Sequence, residues 1–329
     1  MVRYATIGSS WIVDAFIAGA KQSAPNLVLT AVYSRTEERG KEFGAKYGID
    51  RVYTSLEELA AADDIDAVYI ASPNVMHYPQ AKLMLAAGKH VMCEKTCVVT
   101  TAQLDDLLST AAEQGVVFME AIKLMHMPVL KQVEEYLPKL GRIHLCKFDF
   151  SRYSSKYPKY LAGETPNIFR RDLCAGGLMD MGVYSVYPAV YFFGEPLTVD
   201  AHAIFMNTGA DGAGAALLGY DDNAVSIGWS KMSEHYQWNT IQGDNGILVI
   251  DTIEHMDNVD FIDIKGNRQH LFSRETDRHV MSWEAEAFYR WITDPIGTAD
   301  EAARITEVTR STLRTIERIR AAAGIRFDL

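Results

Sequence analysis

Two short stretches hold the residues best suited to proton chemistry. Cys93-Glu94-Lys95-Thr96 sets an ammonium beside a carboxylate, and Gly176-Gly177-Leu178-Met179-Asp180-Met181-Gly182-Val183-Tyr184 supplies a carboxylate and a phenol. Asp180 and Tyr184 stand at i and i+4, so a helix over that stretch puts both on one face. A lysine, a carboxylate and a phenol that converge can bind a hydroxyl and move its proton. A lysine at the edge of a sheet can also stabilise developing alkoxide charge, and partial desolvation beside a second cation lets it act as a base.

Lys95 needs a strand end to hold it, and the first part of the chain supplies a series of them. Apolar runs at Tyr4–Ile7, Leu27–Tyr33, Ala67–Ala71, His90–Cys93 and Val116–Met119 read as strands. Helical patterns at Trp11–Lys21, Glu37–Tyr47, Leu56–Ala61, Val75–Ala87 and Ala102–Gln114 separate them. Short buried strands alternating with helices predict a doubly wound parallel sheet, a Rossmann-type domain over residues 1–122.

The pattern changes near Ala121–Met127. Strands are expected at Ile143–Tyr153, Thr198–Met206, Ala213–Tyr220, Ala224–Met232, Tyr236–Gln242, Gly246–Ile250 and Val259–Ile264, punctuated by turns such as Gly243-Asp244-Asn245-Gly246. Helices over Ser282–Thr293 and Ala299–Ala323 close the chain. Residues 123–329 therefore read as an α+β domain with an open, mostly antiparallel sheet. The apolar residues Ile204, Phe205, Leu217, Leu218, Ile227 and Trp229 predict a sheet face that needs a cover, which a second subunit would supply.

The turn after the first strand, Ile7-Gly8-Ser9-Ser10-Trp11-Ile12, lies where a dinucleotide pyrophosphate meets a helix N-terminus. It supplies one glycine, Gly8; the Ser10 hydroxyl is available to a phosphate or to cap the helix, and Trp11 to flank the ligand. At the end of the second strand, Ser34-Arg35-Thr36 replaces the acid that holds the ribose hydroxyls of NAD. Ser34 can hydrogen-bond a 2′-phosphate, and Arg35 and Arg39 can neutralise it, which favours NADP with NAD still admissible. A solvated helix start beside Glu37 and Glu38 is the plainer reading of the same arginines.

Composition narrows the class. The 329 residues carry a net charge of −11 and 48% hydrophobic residues, which argues for a globular protein without general affinity for nucleic acid or anionic lipid. No apolar stretch is long enough for a membrane span, and the N-terminus runs straight into a strand, so no signal peptide and a cytoplasmic location are expected. The four scattered cysteines read as reduced thiols, and the histidines show no ligand spacing, so no metal is expected.

Four motifs in order resemble the glucose–fructose oxidoreductase/inositol dehydrogenase/rhizopine catabolism (Gfo/Idh/MocA) family across nearly the whole chain. They are Ser72-Pro73-Asn74 with His77, Glu94-Lys95, Glu120-Ala121 with Pro128, and Gly176 to Tyr184. The tyrosine at 184 is closer to the dihydrodiol and xylose dehydrogenase branch than to the inositol branch, which has histidine there. The resemblance implies hydride transfer between NAD(P) and a sugar-like alcohol. In it Lys95 and Tyr184 share proton transfer and Asp180 orients the substrate. Gly8, Ser10, Trp11, Ile12, Ser34, Arg35, Arg39, Ser72, Pro73, Asn74, His77, Glu94 and Lys95 line the cofactor. Two departures stand out: Thr96 replaces the proline after the lysine, and Met125 replaces an arginine, with Lys123 and His126 nearby. Arg170 and Arg171, and the aromatic group Tyr153, Tyr157 and Tyr160, are further candidates for substrate contact.

The expected protein is an NADP-preferring oxidoreductase acting on a sugar, polyol or related hydroxyl or carbonyl compound, assembled as a homodimer or higher homo-oligomer through the C-terminal sheet. The alternative is a non-catalytic regulatory protein that binds a dinucleotide and a sugar on the same fold.

Overall fold

The computed structural model describes residues 1–328. Strands β1 (Val2–Ile7), β2 (Leu27–Tyr33), β3 (Val52–Tyr53), β4 (Ala67–Ile70), β5 (His90–Glu94) and β6 (Phe118–Ala121) form one sheet in the order β3-β2-β1-β4-β5-β6. Every neighbouring pair is parallel. Helices α1 (Trp11–Ser23), α2 (Glu37–Ala45), α3 (Leu56–Ala60), α4 (Asn74–Ala86) and α5 (Thr101–Gln114) make the connections. All residues of β4 and β6 are buried, as in strands covered on both faces. Phe16 of α1 stacks on Tyr69 of β4 at 3.9 Å between ring centroids, with Tyr4 of β1 edge-on to Phe16. The strand order reverses between β1 and β4, the place where doubly wound sheets open a crevice at their carboxyl ends. The sequence reading lacks β3, because two residues carry no periodicity.

The second sheet holds β7 (Ile143–Ser151), β8 (Thr198–Phe205), β9 (Asp211–Gly219), β10 (Ala224–Ser230), β11 (Asn239–Gly243), β12 (Gly246–Ile250), β13 (Asn258–Asp263) and β14 (Arg268–Ser273). Its order is β14-β13-β12-β11-β7-β10-β9-β8, antiparallel except between β7 and β10. Three helices belong with it: α6 (Pro128–Tyr136), α7 (Tyr157–Leu161) and α8 (Val183–Phe193). The sequence reading lacks α6, α7 and β14. The apolar face it expects is divided by strand alternation. Ile204, Phe205 and Leu217 are exposed, whereas Leu218, Ile227 and Trp229 point into the core.

The chain ends with α9 (Ser282–Thr293) and α10 (Ala299–Ala323). Two compact units result, and neither is one stretch of chain. The first joins Met1–His126 to Thr276–Thr306, and the second joins Met127–Glu275 to Glu307–Leu329. Thus α9, which follows the strands of the second sheet in sequence, belongs to the first unit.

Candidate active site

The turn between β1 and α1 is shaped by Gly8. Its φ is +122°, and a Cβ there would lie 2.8 Å from the Ala71 carbonyl oxygen, so only glycine fits between the two strand ends. Ser10 caps α1 in an extended conformation without a side-chain cap bond, which leaves its hydroxyl to a ligand. The amides of Trp11 and Ile12 open the helix and have no intrahelical acceptor. Trp11 is 76% exposed.

At the end of β2, Ser34 is buried and its N–H donates to the Tyr53 carbonyl (3.0 Å). Gly40 lets α2 press on β3, since a Cβ there would stand 2.3 Å from Val52 Cγ1. That contact fixes where α2 starts, and with it the two exposed guanidiniums of Arg35 and Arg39. Glu37 pairs with Lys41 (2.6 Å) rather than with either arginine. Among the described residues, Arg35 and Arg39 make no ion pair.

The loops after β4 and β5 are tied together by His77. Its Nε2 lies 2.8 Å from the Ser72 carbonyl and its Nδ1 2.9 Å from the Thr96 carbonyl. Both partners are acceptors, and a neutral ring has one N–H, so it donates to one of them at a time. Burial, helped by the charge of Lys95, holds the proton affinity of this ring below its ordinary value. Ser72 Oγ donates to Gln80 (2.6 Å), and Pro73 and Asn74 begin α4. Seated between the two carbonyls and bonded to one or the other, His77 holds the loops in place.

Lys95 leaves the end of β5 half-buried, and the Lys95–Thr96 peptide is cis, with threonine where proline is usual. Three acceptors brace the segment. Glu94 Oε1 accepts from Tyr69 Oη (2.5 Å), and its Oε2 faces the Lys95 N–H (3.3 Å). Glu120 accepts from the Cys97 N–H (2.8 Å), and Gln103 from the Val99 N–H (3.0 Å) while Thr100 caps α5. Burial pushes the Glu120 carboxyl up to about 7. Burial also raises Glu94, opposed by Tyr69, Lys95 and Lys123. Of the two cations noted near Met125, Lys123 is the one whose field reaches Glu94. His126 packs edge-on to Trp291 and is pushed down to about 3 by burial.

In the second unit, Asp180 lies on a wide turn, Leu178–Gly182, wound as a π-helix, and Tyr184 on the first turn of α8. The glycines explain the turn. A Cβ on Gly176 would meet Asp211 at 2.0 Å, one on Gly177 would meet Trp229 at 2.7 Å, and one on Gly182 would meet Leu178 at 2.9 Å. Buried Asp211 accepts from the Leu178 N–H (2.7 Å) and from Trp229 Nε1 (2.9 Å), pinning the turn to β9 and β10. Tyr184 is buried edge-on against Phe150.

Sequence reasoning missed Lys231, which follows β10 and stands in no motif. Its side chain is 2% exposed, and Nζ donates to Asp180 Oδ2 (2.5 Å) and the Ile168 carbonyl (3.2 Å). Nζ also sits 5.4 Å over the Phe169 ring, which belongs to the aromatic group of Tyr153, Tyr157 and Tyr160. Arg170 and Arg171 are engaged elsewhere, with Asp172 and Asp328. Among the described residues, no group of three or more His, Cys, Asp or Glu side chains could hold a metal ion, and no helix is long and apolar enough to cross a membrane.

Chemically, the first unit offers an anion site at a helix start, two unpaired guanidiniums and a braced lysine; the second offers a carboxylate held by a buried ammonium, beside a phenol. Residues 2–122 match the Gfo/Idh/MocA oxidoreductase family, NAD-binding Rossmann fold, and residues 138–249 match its C-terminal domain. The chain is 38% identical over 325 residues to the scyllo-inositol 2-dehydrogenase (NADP(+)) IolU of Bacillus subtilis, covering 99% of this chain and 98% of that protein. It is 30% identical over 225 residues to the mouse trans-1,2-dihydrobenzene-1,2-diol dehydrogenase, covering 67% and 65%. The fold is shared with KijD10, a 3-ketoreductase from Actinomadura kijaniata solved with NADP and TDP-benzene, at a TM-score of 0.84, 22% identity and 98% coverage of both chains. The inositol enzyme is the more similar of the two relatives. The chain belongs to the Gfo/Idh/MocA family of oxidoreductases.

Proposed function

We propose that this NAD(P)-dependent oxidoreductase prefers NADP and interconverts a secondary alcohol and a ketone on a cyclic polyol or sugar, with Lys95, Asp180 and Tyr184 as its catalytic residues. The observation that carries the reading is the bracing of Lys95, where Glu94, Glu120, Gln103 and His77 all fix the backbone on either side of one ammonium. An ordinary surface lysine has no such scaffold.

The residues present fit the cofactor. Gly8 keeps the approach to the first helix turn open, the Trp11 and Ile12 amides face it, and Arg35 and Arg39 offer charge to a 2′-phosphate. When bound, the nicotinamide supplies the acceptor or donor of the hydride. Lys95 donates a hydrogen bond to the reacting oxygen, steadying negative charge as it develops. Tyr184 shares the proton with Lys95. Asp180, held by Lys231, accepts from a substrate hydroxyl and sets the ring orientation. The aromatic group beside Phe169 suits the apolar face of a sugar ring. The name of the Bacillus relative supports a cyclic polyol such as scyllo-inositol, with NADP.

The first unit takes the cofactor and the second the substrate. Exposed Leu145, Ile204, Phe205 and Leu217 support a homodimer through the second sheet. Four buried, unbridged cysteines support a reducing, cytoplasmic setting.

The test is turnover of a polyol and sugar panel with NADP and NAD. Lys95→Met should lower kcat/KM by about 10³-fold or more while NADP affinity, read by calorimetry, stays within about threefold. No turnover across the panel, or a fully active Lys95→Met, would overturn the reading.

A further inference from the structure

The first unit buries a carboxyl to which it offers no partner. Glu284, the third residue of α9, is 1% exposed, and neither of its oxygens has a hydrogen-bond partner among the described residues. No cation stands within ion-pair distance of it either. The helix that carries it is fixed against α1. A Cβ on Gly19 would lie 2.7 Å from the Met281 carbonyl carbon, Ser23 Oγ donates to the Ser282 carbonyl (2.7 Å), and Ser282 Oγ donates to Gln22 (2.8 Å). With α9 pinned at its first residue, Glu284 has no route to solvent.

Glu284 lies within electrostatic reach of the groups beneath Lys95. Phe16 of α1 stacks on Tyr69, and Tyr69 bonds Glu94. The charges of Glu94 and Lys123 both act on Glu284, and Tyr69 feels Glu284 as well as Glu94. Around Glu94 lie Cys93 on its own strand, Lys95 just after that strand, Tyr69 on β4, Glu120 on β6 and Lys123 after β6. The remaining charged groups of α9 are engaged elsewhere, Glu286 with Arg278 and Arg290 with Glu301.

Two buried carboxyls that feel each other's charge do not both ionise without partners for each. Glu94 has them: a phenol donor, a backbone N–H and the neighbouring ammonium. Glu284 has none, and both burial and the charge of Glu94 favour its protonated form over the weaker pull of Lys123.

We propose that Glu284 is a neutral carboxylic acid in the folded protein, so that it adds no further negative charge to the field that Glu94 sets on Lys95. The inference rests on the reading that Lys95 meets the reacting oxygen. Were Glu284 ionised, a second negative charge would hold the lysine proton more tightly and delay its release.

Melting temperatures of wild type and Glu284→Gln across a pH series test the charge state without any turnover. A carboxyl that keeps its proton more tightly when folded stabilises the fold at low pH and loses that contribution as pH rises towards its folded pKa. Glu284→Gln should therefore gain on wild type with every step up in pH. A constant difference, or one that shrinks, would overturn the assignment. If the glutamine variant does not fold, Glu284→Leu serves in its place. Wild type alone should also retain the infrared carbonyl band of a protonated carboxylic acid at about pH 8.5, where a group near 7 such as Glu120 is ionised; its absence counts against the proposal. The link to Lys95 is read separately, in the pH profile of kcat for alcohol oxidation. Because glutamine is as neutral as the protonated acid, the profiles of wild type and Glu284→Gln should superimpose, and a rise that begins about half a unit or more lower in the variant, about threefold in the proton equilibrium, would show an ionised Glu284 and overturn the proposal. Should the melts behave as expected while Lys95→Met stays active, the carboxyl pair stands and the role of the lysine falls.

Discussion

Lys231 Nζ donates to Asp180 Oδ2 at 2.5 Å from a side chain that is almost wholly buried, whereas the Asp180 side chain is about one-third exposed. The two ends of this bond are therefore not equivalent. Asp180→Asn leaves a buried ammonium without its counter-charge, and we expect about 2 kcal/mol of lost stability, below the range for fully buried pairs because Asp180 retains solvent. Lys231→Met removes the buried charge itself and should change stability by about 1 kcal/mol or less, yet it frees the carboxylate to rotate. Its kcat/KM should drop about 10²-fold, with partial rescue in Lys231→Arg. Urea unfolding and steady-state kinetics on the four proteins check both orders of rank.

Cofactor choice should follow the two guanidiniums after β2. Arg35→Ala should weaken NADP binding by about 10- to 50-fold and NAD binding by less than about threefold, since a charge-assisted bond to a 2′-phosphate has no counterpart in NAD. Arg39→Ala should act in the same sense and more weakly. Calorimetric titration with both dinucleotides decides the matter, and equal losses would refute the 2′-phosphate assignment.

The glycines of the turn that carries Asp180 should resist any side chain. Gly177→Ala places a methyl 2.7 Å from the Trp229 ring and 3.1 Å from Asp211 Oδ2, both themselves packed, so neither can yield cheaply. A loss of about 2–3 kcal/mol and a drop in kcat are expected, measured by denaturant unfolding and turnover at a temperature where the variant is folded. Gly194→Ala is the useful contrast. Nothing lies near its Cβ, so its cost comes from the backbone alone, at φ +76°.

Glu120 gives a pH prediction of defined sign. Its folded pKa, about 7, lies above its ordinary value, so the folded protein holds this proton more tightly than the unfolded chain. Its contribution is complete at low pH and is lost between about 4.5 and 7 as pH rises. Glu120→Gln keeps an oxygen for the Cys97 N–H and should flatten that decline, so the variant should gain on wild type between about pH 5 and 8 in chemical denaturation.

Much of the first unit was legible because its strands are buried from both sides and read as unbroken apolar runs. The four motifs likewise identified the residues at strand ends and helix starts. What escaped has a physical reason in each case. The two residues of β3 are held by partners rather than by pattern. Lys231 and Asp211 matter because strand neighbours bring them to the Asp180 turn, and register is not written in local spacing. Glu284 reads as an ordinary first-turn acid of an amphipathic helix until the packing of α9 on α1 removes it from water. The apolar face was half right, since period-2 alternation turns Leu218 inward while Leu217 faces out.

The single parallel pairing of the second sheet bears on how this unit is assembled. Strands β8, β9 and β10 are neighbours both in sequence and in space, and so are β11 through β14, so each set can form as a local meander. Strand β7 comes from far earlier in the chain and inserts between them, antiparallel to β11 and parallel to β10. The unit is thus two quick hairpin ribbons joined by one slow, long-range insertion. Defects in β7 should leave both ribbons formed but unjoined, each with a raw edge open to aggregation.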